Sequence, residues 1–420
     1  MEAVMFGRSV LLVLAALFSG VMAAAAVAET GTAQLVREHL RGGQLEELRK
    51  DLADRLVQAP ADDELRFGLG ATQFLIAIEH MSQFMYRHGL EQPRGLQGAV
   101  PFLRFPLPLN PAPEPLTYEK TRGFFMASLS DLAAAQVTLA GMGSGDVKLP
   151  VAIGLVRLDL DGDGTASEEE TLWRVFDSTL GGGNITAQDA EAFVVVLDRG
   201  DAAWLRGYTH LLSALLEFPL AHDWQQGFDA SFHMFFPRAG LPNAILDATP
   251  SNLFGDPSAA SFADLIAFIH LMHWPVTEPK RMEAVLGHLE SVVALSRESW
   301  KFILAETDDE AEWIPNPRQT KSVLPGVPVT QETVDGWLLF LGEFDALLTG
   351  RKLIPHWRLE KGINLRRVFA EPRTFDPVLW MQGSAALPYL EDGELTSSDT
   401  WSRIMGLLQG NFLGYAIWFN

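Results

Sequence analysis

Cysteine is absent from all 420 residues. Disulfides, thiolate metal sites, cysteine nucleophiles and a lipid-bearing N-terminal cysteine are excluded together. Basic residues are scarce, with 32 Lys and Arg against 53 Asp and Glu, a net charge of -21. Binding a polyanion needs clustered Lys and Arg, so nucleic acid is not an expected partner. The same imbalance favours solubility and concentrates cations near the surface. No G-x-S-x-G elbow, P-loop or dinucleotide fingerprint occurs, and Gly141-Met142-Gly143-Ser144-Gly145-Asp146 is a poor match to a phosphate cradle. Runs of strand-like alternation are few. Beyond the N-terminal region no stretch reaches membrane-spanning length without a charge or a proline, so stable membrane insertion is not expected of the mature chain.

What remains is a chain rich in apolar residues, at 48%. That is enough for buried cores, and the length favours two or three domains. The first 28 residues read as a signal peptide. Arg8 precedes an apolar run from Val10 to about Val27, and Ala26-Val27-Ala28 supplies the small-x-small pattern of a cleavage site before Glu29. The expectation is a mature chain beginning at Glu29, periplasmic or secreted, from a bacterium.

Residues 29–100 read as helical. Leu35, Val36 and Leu40 make one apolar face, Gly42-Gly43 a turn, and Leu45, Leu48, Leu52, Leu56 and Val57 a second face that ends at Pro60. Six prolines between Pro101 and Pro115 make 101–117 an extended connector. Residues 118–312 carry helical periodicity at 121–140, 187–198, 202–218, 261–273 and 281–305. Prolines 315, 317, 325 and 328 mark a second connector over 313–330. Helical spacing returns in 331–420, at 331–348 and 400–418. The fold class is therefore mainly α, in several helical segments. Gly43-Gln44-Leu45-Glu46-Glu47-Leu48, Pro60 and Leu69-Gly70 resemble the inter-helix turn, terminal proline and next-repeat start of a tetratricopeptide repeat, over about 33–75. Val36, His39 and Arg55 depart from that pattern. The resemblance implies a protein partner for the N-terminal helical segment.

The chemistry-bearing motif is Asp159-Leu160-Asp161-Gly162-Asp163-Gly164-Thr165-Ala166-Ser167-Glu168-Glu169-Glu170, a full match to D-x-[DN]-x-[DN]-G-x5-E. Calcium is a hard cation that takes six to eight oxygens at roughly 2.3–2.6 Å. Asp159, Asp161 and Asp163 can each present a carboxylate oxygen, and Gly164 permits the sharp bend. Thr165 offers its backbone carbonyl, Ser167 a bridging water, and Glu170 a bidentate closure. With Val151, Leu155 and Leu158 read as the face of an entering helix, and Leu172, Val175 and Phe176 as that of an exiting one, residues 150–177 resemble the EF-hand family. That resemblance implies a helix-loop-helix and a Ca²⁺ site. Ala166 stands where paired hands carry a bulky aliphatic residue. Gly181 to Thr186, and Asp392-Gly393-Glu394-Leu395-Thr396, are the nearest approaches to a second loop, and neither has the acidic ladder. A structural calcium is expected rather than a sensor.

His270 and His273 share helical spacing without a zincin glutamate, and a packed pair is the simpler reading. Two functions stay open: a non-enzymatic, calcium-stabilised exported protein with an interaction surface, and an exported hydrolase whose calcium is structural. Gathering of His222, His233, His270 and His273 around a cleft would favour the enzyme.

Overall fold

The computed structural model describes residues 30–91, 107–175, 186–236, 238–240, 258–320, 329–410 and 412–419. The expected signal peptide lies outside these residues. The chain is mainly α. Helices α1 (Gly31–Gly42) and α2 (Leu45–Gln58) turn at Gly43, and α3 (Asp63–Arg87) follows Pro60. Thr30 and Asp62 cap α1 and α3 by accepting the N–H groups of Ala33 and Leu65. The leucines read as apolar faces point inward, with Leu48 and Leu52 fully buried. Each such side chain contributes roughly 1.5–3 kcal/mol on leaving water. The helix containing Leu69-Gly70 runs without a turn to Arg87.

Helix α4 (Tyr118–Ala140) packs between α3 and the later α6 (Arg199–Leu220). By length and composition alone α4 could cross a membrane. Thr121, Ser128, Leu132, Ala135 and Leu139 nonetheless form one buried face along it.

Strand β1 (Leu149–Val151) pairs antiparallel with β2 (Val195–Leu197), with Val151 opposite Val195. The helix expected over 187–198 is therefore only α5 (Ala187–Ala192), because the run Val195-Val196-Leu197 is taken by the ladder. Helices α7 (Gln225–Ser231) and α8 (Ser258–His270) come next, and α8 stops three residues short of the expected 273. Helix α9 (Pro279–Ile303) lies along α6 in the most extensive helix pair among the described residues. Helix α10 (Gln331–Leu348) covers the expected 331–348.

A three-stranded antiparallel sheet absent from the sequence reading then appears: β3 (Ile354–His356), β4 (Leu359–Ile363) and β5 (Leu390–Glu391), in that order. Short helices α11 (Leu365–Ala370) and α12 (Pro377–Gln382) sit between β4 and β5. The helix expected over 400–418 is broken into α13 (Ser398–Leu407) and α14 (Phe412–Phe419), with Gly410 at φ 72° in the gap.

Of five apolar clusters among the described residues, the two largest organise most of these elements. One joins α1–α3 to Val147–Leu160 and reaches Ala202 and Leu205 of α6. The other joins α9, α10, α13 and α14 around Trp300, Trp337 and Phe419. It takes in Ile314 and Val329 from the described ends of the proline-rich stretch. Ile153, Leu197 and Trp204 pack against both cores.

Candidate metal centre

The acidic loop grows out of β1 rather than out of a helix. After a single 3-10 turn at Ile153–Leu155, the chain is extended from Val156. Val156, Leu158 and Leu160 face inward against α1–α3, while Arg157, Asp159 and Asp161 face outward. This is the period of two that belongs to a strand. The expected entering helix is corrected on that ground. Val151, Leu155 and Leu158 happen to fit helical spacing, but burial follows 156, 158 and 160. Helical residues begin again only at 172, so Glu170 precedes the exiting helix instead of opening it. Arg157 and Thr171 close the loop as an antiparallel bridge, and Leu172 donates to the Val156 carbonyl at 2.9 Å.

Within the loop, Gly162 and Gly164 have φ of 75° and 88°, which a side chain would strain. Their N–H groups donate to the two carboxylate oxygens of Asp159, at 2.8 and 3.1 Å. The Asp163 N–H donates to Asp161, and the Thr165 N–H to Asp163. Buried Glu170 accepts from Leu160 at 2.8 Å and Asp161 at 3.3 Å on Oε1, and from Ser167 at 2.8 Å on Oε2. The closing glutamate is thus held from across the loop by both oxygens. A carboxylate oxygen accepts more than one bond, so these contacts leave capacity for a cation.

One carboxylate oxygen each from Asp159, Asp161 and Glu170 lie within 4.8 Å of one another. Asp163 and Thr165 are in the same loop but exposed, and the Asp163 carboxylate is not part of that convergence. Among the described residues no Lys, Arg or His forms an ion pair with Asp159, Asp161, Asp163 or Glu170. Arg174 turns instead to Glu168 and Glu169. Burial, with the charges of Glu170, Asp163 and Asp159, holds the Asp161 carboxyl above its ordinary range. An all-oxygen donor set with uncompensated negative charge fits calcium and suits a softer metal poorly.

Two residues that sequence reasoning missed clamp the loop from α3. Glu79 accepts the Asp159 N–H at 2.7 Å, and Gln83 donates to the Asp159 carbonyl at 2.9 Å. Burial pushes the Glu79 carboxyl up to about 7, against the opposing pull of that N–H. A signal for Glu79 did exist: it lies three residues after Ile76 on the inward face of α3. The hairpin turn contributes as well. Arg157 donates its N–H to the Leu40 carbonyl at 3.0 Å, and Gly43 sits directly over Ala166. A methyl at Ala166 is all that this close approach admits.

Other candidates fare differently. Gly181 to Asn184 and Ile185 lie outside the described residues. Asp392 pairs with Lys361, and Glu394 with Lys352, so that stretch builds no acidic cage. The glycine loop at 143–145 is occupied by the protein itself: Gly143 and Gly145 both donate to Asp63 at 2.7 Å. His270 and His273 line a cavity of about 590 Å³ with Asp223, Trp274 and Asp376, and His273 Nδ1 lies 2.9 Å from Asp376 Oδ2. His222 is buried against the Phe218 carbonyl, and neither it nor His233 lines that cavity.

Comparison with family models, with curated proteins and with solved structures finds no match.

Proposed function

We propose that this is an exported protein that binds one calcium ion in the 159–170 loop, with the ion serving structure rather than catalysis. The carrying observation is the convergence of Asp159, Asp161 and Glu170, none of which forms an ion pair with a basic side chain among the described residues. The ligands are Asp159, Asp161, Asp163, the Thr165 carbonyl and a bidentate Glu170. Cation binding draws in Asp163, which stands two residues along the same turn. In this reading the EF-hand resemblance is carried by the loop residues alone, since no helix enters the loop. A structural role is supported by where the loop sits: Glu79 and Gln83 of α3 bond Asp159, Gly43 of the α1–α2 turn abuts Ala166, and the Leu40 carbonyl holds Arg157 just before the loop. A rigid clamp of that kind leaves little for a calcium-driven opening to move. Export rests on residues 1–28.

The test is a calorimetric calcium titration of protein from the exported fraction, its N-terminus at Glu29 checked by intact mass. Glu170→Gln removes one charge and the bidentate closure, and should weaken this site at least tenfold. Unchanged affinity at this site would place the ion elsewhere, and a species retaining Met1 would remove the export reading.

The hydrolase reading draws on the cavity beside His273 and Asp376. A hydrogen-bonded His–Asp pair could orient a base, but among the described residues no Ser, Thr or Lys lines that cavity. The non-enzymatic reading is preferred.

A further inference from the structure

The cavity of about 590 Å³ lies apart from the 159–170 loop and shares no lining residue with it. Its size falls within the roughly 300–1,000 Å³ usual for small-molecule sites. Backbone hydrogen bonds fasten its walls. Trp274 and Phe375 exchange N–H···O bonds, both at 2.9 Å, and the Asp223 N–H donates to the Pro275 carbonyl at 2.9 Å. The Trp274–Pro275 segment is thereby pinned between the chain at Asp223 and the chain at Asp376, so this wall is formed before any ligand arrives. Trp274 is part-exposed and lines the cavity, with buried Trp224 against it at a ring-centroid distance of 6.3 Å. Exposed Ile269 of α8 and exposed Val378 and Leu379 of α12 line the same cavity. Large apolar side chains left in water around one concavity mark a binding surface.

The charge of the lining is one-sided. Two carboxylates, Asp223 and Asp376, belong to it, and among the described residues no Lys or Arg does. Asp376 is already engaged: Oδ2 lies 2.9 Å from His273 Nδ1, and Oδ1 accepts the Leu379 N–H at 2.9 Å. Asp223 is not matched in that way. Its Oδ1 accepts from the Gln225 N–H at 3.0 Å and the Tyr118 hydroxyl at 3.4 Å, while among the described residues no donor reaches Oδ2 and no ion pair forms. Arg122, which lies over the Tyr118 ring, is turned to Glu278 and to the carbonyls of Leu220 and His222. A bare metal ion does not suit the cavity, since its histidines and aspartates form none of the converging ligand groups found among the described residues. We propose that the cavity binds an organic ammonium ion with an apolar body, its nitrogen beside Asp223 and against the Trp274 ring, its body against Ile269, Val378 and Leu379. An indole face attracts a cation through its quadrupole, and a wall already in place spares the ligand the cost of ordering it. The site adds a ligand to the non-enzymatic reading without resting on the calcium loop.

The test is titration calorimetry of the full chain with benzyltrimethylammonium, beside benzyl alcohol and phenylacetate as neutral and anionic probes that carry the same ring. The ammonium should bind one equivalent, and the two controls about tenfold more weakly. Asp223→Asn keeps the acceptor for the Gln225 N–H and should weaken ammonium binding about fivefold. Val378→Lys, at an exposed position, places a competing charge on the lining and should weaken it by a similar factor. No ammonium binding, benzyl alcohol or phenylacetate binding as tightly, or an affinity that ignores both variants would each overturn the proposal. Self-association of the chain that Val378→Lys abolishes and the ammonium leaves intact would assign this face to a second copy instead. Ammonium affinity should be unchanged in Glu170→Gln, which keeps the outcome here separate from that of the calcium loop.

Discussion

At the scale of single residues, the site rests on positions that tolerate almost no change. Gly43 has φ 65°, and a Cβ built on it would lie 2.1 Å from the Ala166 Cβ. Gly43→Ala therefore adds left-handed strain of about 1–2 kcal/mol to overpacking of about 1–3 kcal/mol. The expected outcome is a destabilised protein whose calcium affinity also falls, since the displaced atom belongs to the loop. Denaturant melts with and without calcium check this, and a stability loss below about 1 kcal/mol would show that the turn can retreat. The acidic ladder was legible in the sequence because its meaning is local: alternate acids, a glycine at the bend and a terminal glutamate all fall within twelve residues. Glu79 and Gln83 were not legible in that way. They reach Asp159 from about eighty residues upstream, and only packing brings α3 beneath the loop.

At the scale of elements, helices with a clean apolar stripe were readable and short strands were not. Helices α2, α9 and α10 follow leucine, valine and tryptophan spacing that fits one period only. Residues 151–160 satisfy two periods at once, and the choice between them was made by the ladder to Val195 and by the face of α1–α3. The sheet β3–β4–β5 was missed because its strands have only two to five residues, with Pro355 and Gly362 inside them. The α6–α9 pair carries a testable feature of its own. His210 Nδ1 and His288 Nδ1 lie 2.8 Å apart, so one donates and the other must stay unprotonated there. Burial, the facing His288 and nearby Arg206 bring His210 down to about 4. Burial lowers His288 too, against the pull of Glu217. A folded pKa below the unfolded one gives stability that is present above about 6.5 and is lost as pH falls through about 4. His210→Gln should therefore lose less stability than the parent between pH 6.5 and 4. Parallel stability curves for the two proteins would show that the pair does not titrate in this way.

At the scale of the whole molecule, the loop works as a tie. It hangs between β1 and residues 172–175, touches α1 through Leu40 and Gly43, and touches α3 through Glu79 and Gln83. Without a cation, Asp159, Asp161, Asp163 and Glu170 stand crowded with no ion pair to a basic side chain among the described residues, beside a buried Glu79. The repulsion falls on the seam that joins the N-terminal helices to β1. An ion that binds only the folded state stabilises by RT ln(1 + [L]/Kd), about 2.7 kcal/mol at a hundred times Kd. Calcium should therefore raise the melting temperature by a few degrees, and chelator should speed hydrogen exchange at 156–172 and along α1 and α3. Overall shape should stay the same, because no paired loop is present among the described residues to rotate against this one. A sensor would behave otherwise, since opening a hand exposes an apolar groove. Melting and hydrogen exchange in calcium and in chelator, with a dye that reports exposed apolar surface, distinguish these outcomes. A melting temperature indifferent to calcium would remove the structural role, and a large calcium-dependent rise in dye binding would replace it with a switch.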